Sequence, residues 1–218
     1  MILVNSEYVK QSFLDNGFDS NKIKVVVLGI NKAFLGLKKK WDIKNKTKLV
    51  FTGGFGARKG GKLIIEMCEY FEKNGFNYSL DIYGQVLNDL VIPESFKQSK
   101  NITIHGFIEQ KIMLSKIIDS DIYVFPSYVE GAAQSLKEAM AIGLPVITTF
   151  QSGVNINNNY DGILVKDDSS KELINAVIEL SNNYEKRKKI AQNAINTIKN
   201  NHTWEKYALE VNHIYEEL

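Results

Sequence analysis

Two glutamates, Glu130 and Glu138, stand eight positions apart in the stretch YVEGAAQSLKEAMAIGLPVITT, residues 128–149. Carboxylates accept hydrogen bonds from hydroxyl groups but repel phosphate. The pair therefore suits hydroxyls on either side of a diphosphate, a ribose at one end and a sugar at the other. A helix running through both would separate them by about 12 Å along its axis. Gly131 lets the backbone approach a ligand, and the amides of Ala132, Ala133 and Gln134, at the expected helix start, are donors for an anion. Two glutamates on an exposed helix face would leave a similar trace. Yet a purely structural helix needs no glycine after the first one.

The stretch FTGGFGARKGGKL, residues 51–63, follows a strand-like run and opens a helix-like one. In parallel α/β sheets that junction presents amides and a helix dipole to phosphate. Gly56, four residues and Gly61-Lys62 come close to a P-loop, but Leu63 stands where Ser or Thr would hold magnesium. Gly54, Arg58 and Lys59 are the candidates here, the two cations favouring an anion over a merely permissive turn. Asp119 and Asp121 in IIDSD form Asp-x-Asp, read as punctuation between a helix and a strand. No metal-ligand constellation has convincing spacing, so no metal or cofactor is expected. His105, His202 and His213 are scattered, and Cys68 lies in an apolar run that reads as core.

Strand-like runs at Leu49–Gly53, Ser79–Tyr83, Ile102–His105, Ile122–Phe125, Val146–Thr149 and Ile163–Val165 are short and apolar. They alternate with amphipathic runs at Gly61–Lys73, Lys111–Ile118, Ala132–Ile142 and Lys171–Leu180. That order predicts an α/β fold, a Rossmann-like doubly wound parallel sheet, closed by helices at Tyr184–Asn200 and Trp204–Leu218. Residues 1–40 fit less well. A strand and a helix capped by Ser6 precede the strand-like Lys24–Leu28, with no obvious sheet to join. They are expected to be the tail of a preceding domain and an interdomain linker.

The chain has 218 residues, with 24% charged and a net charge of +2. That balance carries no nucleic-acid footprint, and no nucleic-acid partner is expected. A single cysteine suggests a reducing cytosol. No uninterrupted apolar run reaches the about 18 residues of a membrane span. The LKKKW cluster around Lys38–Lys40 could touch anionic lipid, which would place the protein peripherally at the inner face of the membrane. Its plainer reading is a solvated linker.

SDIYVFPSYVEGAAQSLKEAMAIGLPVITT resembles the donor-site signature of the retaining glycosyltransferase family 4, of GT-B architecture. In that family a strand ends in Pro-Ser, and a Glu, seven residues and a Glu precede Ala-Met-Ala-x-Gly-x-Pro-Val-Ile. VNSEYVKQSF and LGIN are similar to its interdomain region, and FTGGFGARKGG to its phosphate loop. IHGFI, SGV, DGILV and HTWEKY also fit, so the resemblance covers nearly the whole chain. It implies a nucleoside diphosphate sugar donor, with a hexosyl unit passed to a glycan or lipid-linked hydroxyl, as in cell-surface polysaccharide synthesis. Glu138 would bind the ribose and Glu130 the donor sugar. The amides of Gly131 to Gln134 would meet sugar and phosphate, and Lys59 the leaving diphosphate, so Glu130 and Lys59 are the catalytic candidates. Backbone at Phe107 and Ile108 would face the base. The family's usual Arg after the first loop glycine is Gly54 here, with Arg58 as the possible substitute, and Lys137 replaces an apolar residue. The implied division is 1–40 as above, 41–200 as the nucleotide-sugar-binding domain, and 201–218 as a helix packing toward a missing first domain. Such a chain alone would be inactive. Rival readings are a GT-B epimerase or phosphorylase, a P-loop-like nucleotide module, and a catalytically dead nucleotide binder.

Overall fold

The computed structural model describes residues 1–36 and 45–217, so the LKKKW cluster lies outside the described residues. Six strands form one parallel sheet: β3 (Thr47–Thr52), β4 (Tyr78–Tyr83), β5 (Ile102–Gly106), β6 (Ile122–Phe125), β7 (Val146–Thr148) and β8 (Ile163–Leu164). Their order is β5-β4-β3-β6-β7-β8. The chain thus builds outward from β3 in one direction, then returns to its other side. β3 carries Leu49, Val50 and Phe51, all fully buried, and so is all of β6. Strands apolar on both faces need cover on both sides, which only helical crossovers provide.

That cover comes from α2 (Gly61–Lys73), α5 (Gln134–Ala141), α6 (Ser170–Asn182) and α7 (Tyr184–Asn201), with α2 packed on α6 and α5 on α7. Leu63, Ile64, Met67, Cys68 and Phe71 form the buried stripe of α2, at the spacing of one helical face. Burial pushes the Cys68 thiol up to about 12, as a core cysteine requires. Smaller helices α3 (Glu94–Gln98) and α4 (Gln110–Ile117) flank β5. α3 escaped the sequence reading because five residues are too few to show a period.

The N-terminal segment differs from expectation in one respect. β1 (Ile2–Val4) does have a partner, pairing in parallel with β2 (Ile23–Val25) around the crossover helix α1 (Glu7–Asp15). Ser6 caps α1, its hydroxyl oxygen accepting from the Val9 amide, and donates to the Gly131 carbonyl at 2.5 Å. This small sheet is therefore stapled to the loop carrying Glu130. The last helix, α8 (Trp204–Glu216), starts against the segment that follows β2. A Cβ on Gly29 would lie 2.4 Å from the Trp204 nitrogen, so the two backbones are in contact.

Candidate functional site

The return of the chain across β3 leaves a crevice at the carboxyl ends of β3 and β6, the general ligand position in such sheets. A cleft of about 540 Å³ opens beside it. Thr52, Gly53 and Gly54 at the end of β3, Tyr83 and Gly84 at the end of β4, and Phe107 and Ile108 after β5 line it. Phe107 is 79% exposed, an aromatic face left open at the rim. From the helices come Gln110, Met113 and Ser135. Ser135 belongs to a buried relay in which the Tyr123 hydroxyl reaches Thr52 Oγ1 at 2.8 Å and Ser135 Oγ at 3.0 Å. The relay fixes the start of α5 against β3.

Glu138 stands on α5, one turn beyond Ser135. Its Oε1 accepts from Gln110 Nε2 at 2.8 Å. Burial raises its carboxyl to about 7, opposed by that hydrogen bond and by the Lys137 charge. The sequence offered no sign of Gln110, because its partner is 28 residues away and only the fold joins them.

Glu130 sits in a different environment. Its Oε1 lies 2.8 Å from Arg58 Nη1 and 3.1 Å from Lys59 Nζ. Arg58 also donates to the Val129 carbonyl at 2.9 Å. The Lys59 ammonium rests 5.0 Å from the centre of the Phe125 ring and beside Gly53, where a Cβ would come within 3.2 Å of it. Lys59 thus connects the glutamate to the cleft wall. The three side chains come from the loops after β3 and β6, which cross at the crevice. Tyr128 N donates to the Arg58 carbonyl at 2.9 Å and holds that crossing.

Several sequence-based expectations change here. The helix starts at Gln134 instead of Ala132, so Ala132 joins Glu130 and Gly131 in the loop before it. The assumed axial spacing of the two glutamates therefore does not apply. The Ala133 amide is taken by the Ser152 carbonyl at 3.0 Å, which removes it from the free donors. Gln134 turns its side-chain amide back to the Gly29 carbonyl at 3.5 Å. Several amides of the glycine loop are engaged within the protein instead of facing an anion. Gly60 N bonds Ala57 O, Gly61 N bonds Gly56 O, and Ala57 N bonds the Asp89 carboxylate. A P-loop needs those amides pointing outward, so the P-loop reading loses its geometric basis. The side chains this loop offers to phosphate are the cationic pair, Arg58 and Lys59.

The Asp-x-Asp motif behaves as punctuation. Asp121 is 5% exposed and accepts from Lys48 N at 2.8 Å, tying β6 to the start of β3. Among the described residues, no group of three His, Cys, Asp or Glu is placed to hold a metal. Among the same residues, no helix is long and apolar enough to cross a membrane.

Comparison with known proteins agrees with this architecture. The family described as "Glycosyl transferases group 1" matches residues 36–197. An uncharacterized glycosyltransferase of Methanocaldococcus jannaschii is 29% identical over 228 residues, covering all of this chain and 58% of its own length. The amylovoran biosynthesis glycosyltransferase AmsK of Erwinia amylovora is 25% identical, covering 83% of this chain and 47% of its own. The chain thus spans about half to three-fifths of the relatives it matches. Anabaena HepE, solved in complex with UDP and glucose, superposes with a TM-score of 0.80 at 16% identity, over 100% of this chain and 63% of HepE. At that identity the superposition shows the shared GT-B fold alone. With three-quarters of its length inside the family match and the sheet order, crevice and loop crossing described above, the chain belongs to the group 1 glycosyltransferases.

Proposed function

We propose that this chain is the donor-binding half of a retaining glycosyltransferase that takes a hexosyl unit from a nucleoside diphosphate sugar. The observation that supports it most is the layout of the crevice. An open cleft with an aromatic rim ends near the hydrogen-bonded Gln110–Glu138 pair, and Arg58, Lys59 and Glu130 meet at its edge. In this reading the base lies by Phe107 and Ile108, and the ribose hydroxyls donate to Glu138. The diphosphate takes Lys59 and Arg58, aided by the amides of Gly131, Ala132 and Gln134, while Glu130 turns to the sugar hydroxyls. HepE, a protein of the same fold, was solved with UDP and glucose, which supports a nucleotide and a sugar as the ligands of this fold.

The chemistry follows as a front-face displacement. The bond from the anomeric carbon to the β-phosphate oxygen breaks, and the acceptor oxygen bonds to the same face of that carbon. The acceptor proton passes to the departing phosphate. Negative charge grows on that phosphate, where fixed cations stabilise the transition state more than the ground state. The acceptor, a glycan or lipid-linked hydroxyl, belongs to the part of the relatives' length that this chain does not span. Relatives named for amylovoran and colanic acid biosynthesis support a place in polysaccharide synthesis. A thermal-shift series with uridine, guanosine and adenosine diphosphates and their sugars tests the reading. One series should raise the melting temperature, with calorimetry confirming a single site. Indifference to all of them would remove the donor assignment.

A further inference from the structure

The second enclosed space of the fold lies on the other side of the Gly131 loop, between the small β1–β2 sheet and α5. Lys137 is buried there at 0% exposure, one residue before Glu138. Its ammonium has three hydrogens to place. It donates one to the Leu28 carbonyl at 3.0 Å, and no carboxylate pairs with it among the described residues. Beside it, His202 is 5% exposed, and its Nδ1 is buried with no partner among the same residues. Both side chains line one cavity of about 70 Å³. That is ample for more than one water, each of which needs about 10–15 Å³. Asn5 and Tyr8 add polar groups, and the N-terminal turn of α1 faces the same space. Glu7, at an exposed position, is the one acidic residue of the lining.

A buried ammonium with no carboxylate in salt-bridge contact and an orphaned imidazole nitrogen are costly groups to keep in one enclosed space. Their bases respond accordingly. Burial pulls Lys137 down to about 8 and His202 down to about 4, with the lysine charge adding to the second shift. An oxyanion between them would satisfy the spare ammonium hydrogens and pair with a protonated imidazole. Ala132 also lines the cavity, so an occupant would touch the loop of the donor site from behind.

We propose that the Lys137–His202 cavity is a binding site for a small oxyanion of phosphate size, separate from the Arg58–Lys59 site. The inference does not depend on the donor reading. The probe is inorganic phosphate against chloride at matched ionic strength and pH, read by thermal shift and by the His202 ring resonances of the labelled chain. Three proteins are compared: wild type, Arg58→Ala/Lys59→Ala, and Lys137→Leu/His202→Phe. Phosphate should raise the melting temperature by about 3–6 °C in the first two and not in the third. The His202 resonances should shift saturably in the first two. If stabilisation follows Arg58 and Lys59 and survives loss of Lys137 and His202, phosphate occupies only the donor site and the proposal fails. Should the third variant not fold, the ring resonances decide alone. His202 signals unmoved by phosphate up to decimolar concentration overturn the proposal.

Discussion

Burial raises the Glu138 carboxyl to about 7, so near neutrality the group is divided between acceptor and donor. Only the ionised form can accept from two ribose hydroxyls. With the ionised fraction rising from about one-tenth at pH 6 to nine-tenths at pH 8, nucleotide affinity through this group should increase about ninefold. The difference between wild type and Glu138→Gln isolates this effect from the nucleotide's own titration, and parallel profiles would exclude it. Glu138→Ala should cost about 1.5–3 kcal/mol of nucleotide affinity by calorimetry. For folding the sign is opposite. The folded state binds this proton more tightly than the unfolded chain does, so the group's contribution to stability is largest at low pH. It declines as pH rises from about 4.5 toward 7 and is constant above. Glu130 differs because its carboxylate already occupies the cations that a diphosphate would need. Glu130→Gln should therefore tighten binding of the bare nucleoside diphosphate by about three- to tenfold while abolishing the gain from the attached sugar. Weaker binding of the bare diphosphate would show that Glu130 holds Arg58 and Lys59 in place instead of competing for them.

Gly60 explains why the loop between β3 and α2 is rich in glycine. Its φ is +77°, and a Cβ there would fall 1.9 Å from the Pro126 carbonyl oxygen. The glycine permits contact between the loop after β3 and the loop after β6, which is what brings Lys59 to Glu130. Gly60→Ala should destabilise the fold by about 2–4 kcal/mol, measured by urea unfolding. A loss below about 0.5 kcal/mol would mean that the crossing is loose. The start of α5 was read two residues early for a related reason. Gly131 and Ala132 lie next to good helix formers, but Glu130 N and Ala133 N are captured by the carbonyls of Gln151 and Ser152. Tertiary hydrogen bonds override local propensity at this terminus.

Because the chain spans about 58% of its M. jannaschii relative, the complete reaction is a matter for the whole protein. The sheet and the groups assigned to the donor are all present in this chain. It should fold alone and bind its preferred nucleotide at roughly 10 µM to mM, about −4 to −7 kcal/mol. Sugar transfer should be undetectable, since holding an acceptor hydroxyl at the anomeric carbon accounts for about 7–11 kcal/mol. Glycosylated product from the purified chain would refute this. Nucleotide binding should also change less than about threefold in EDTA, because Arg58, Lys59 and loop amides neutralise the diphosphate in this proposal. Binding lost in EDTA and restored by magnesium would assign that task to a metal.

The parallel sheet and the order of its elements were readable along the chain, because short apolar runs alternating with amphipathic ones admit few other folds. Ile122–Phe125 and Gly61–Lys73 agree with the structure to the residue, since each has flanking punctuation and a full apolar face. The expectation that Glu130 and Glu138 serve opposite ends of a diphosphate rests on residue types and spacing. Their differing states were not. Tertiary structure decided that Glu130 lies between Arg58 and Lys59, that Gln110 meets Glu138, and that the amides of Ala57, Gly60 and Gly61 are engaged within the protein. It also buried Lys137 beside His202. The Glu130 ion pairs and the Gln110–Glu138 bond join residues 28 to 72 positions apart, and Lys137 and His202 fall within that range. Periodicity reports only which face of its own element a residue occupies, so contacts of that range exist only once the chain has crossed itself.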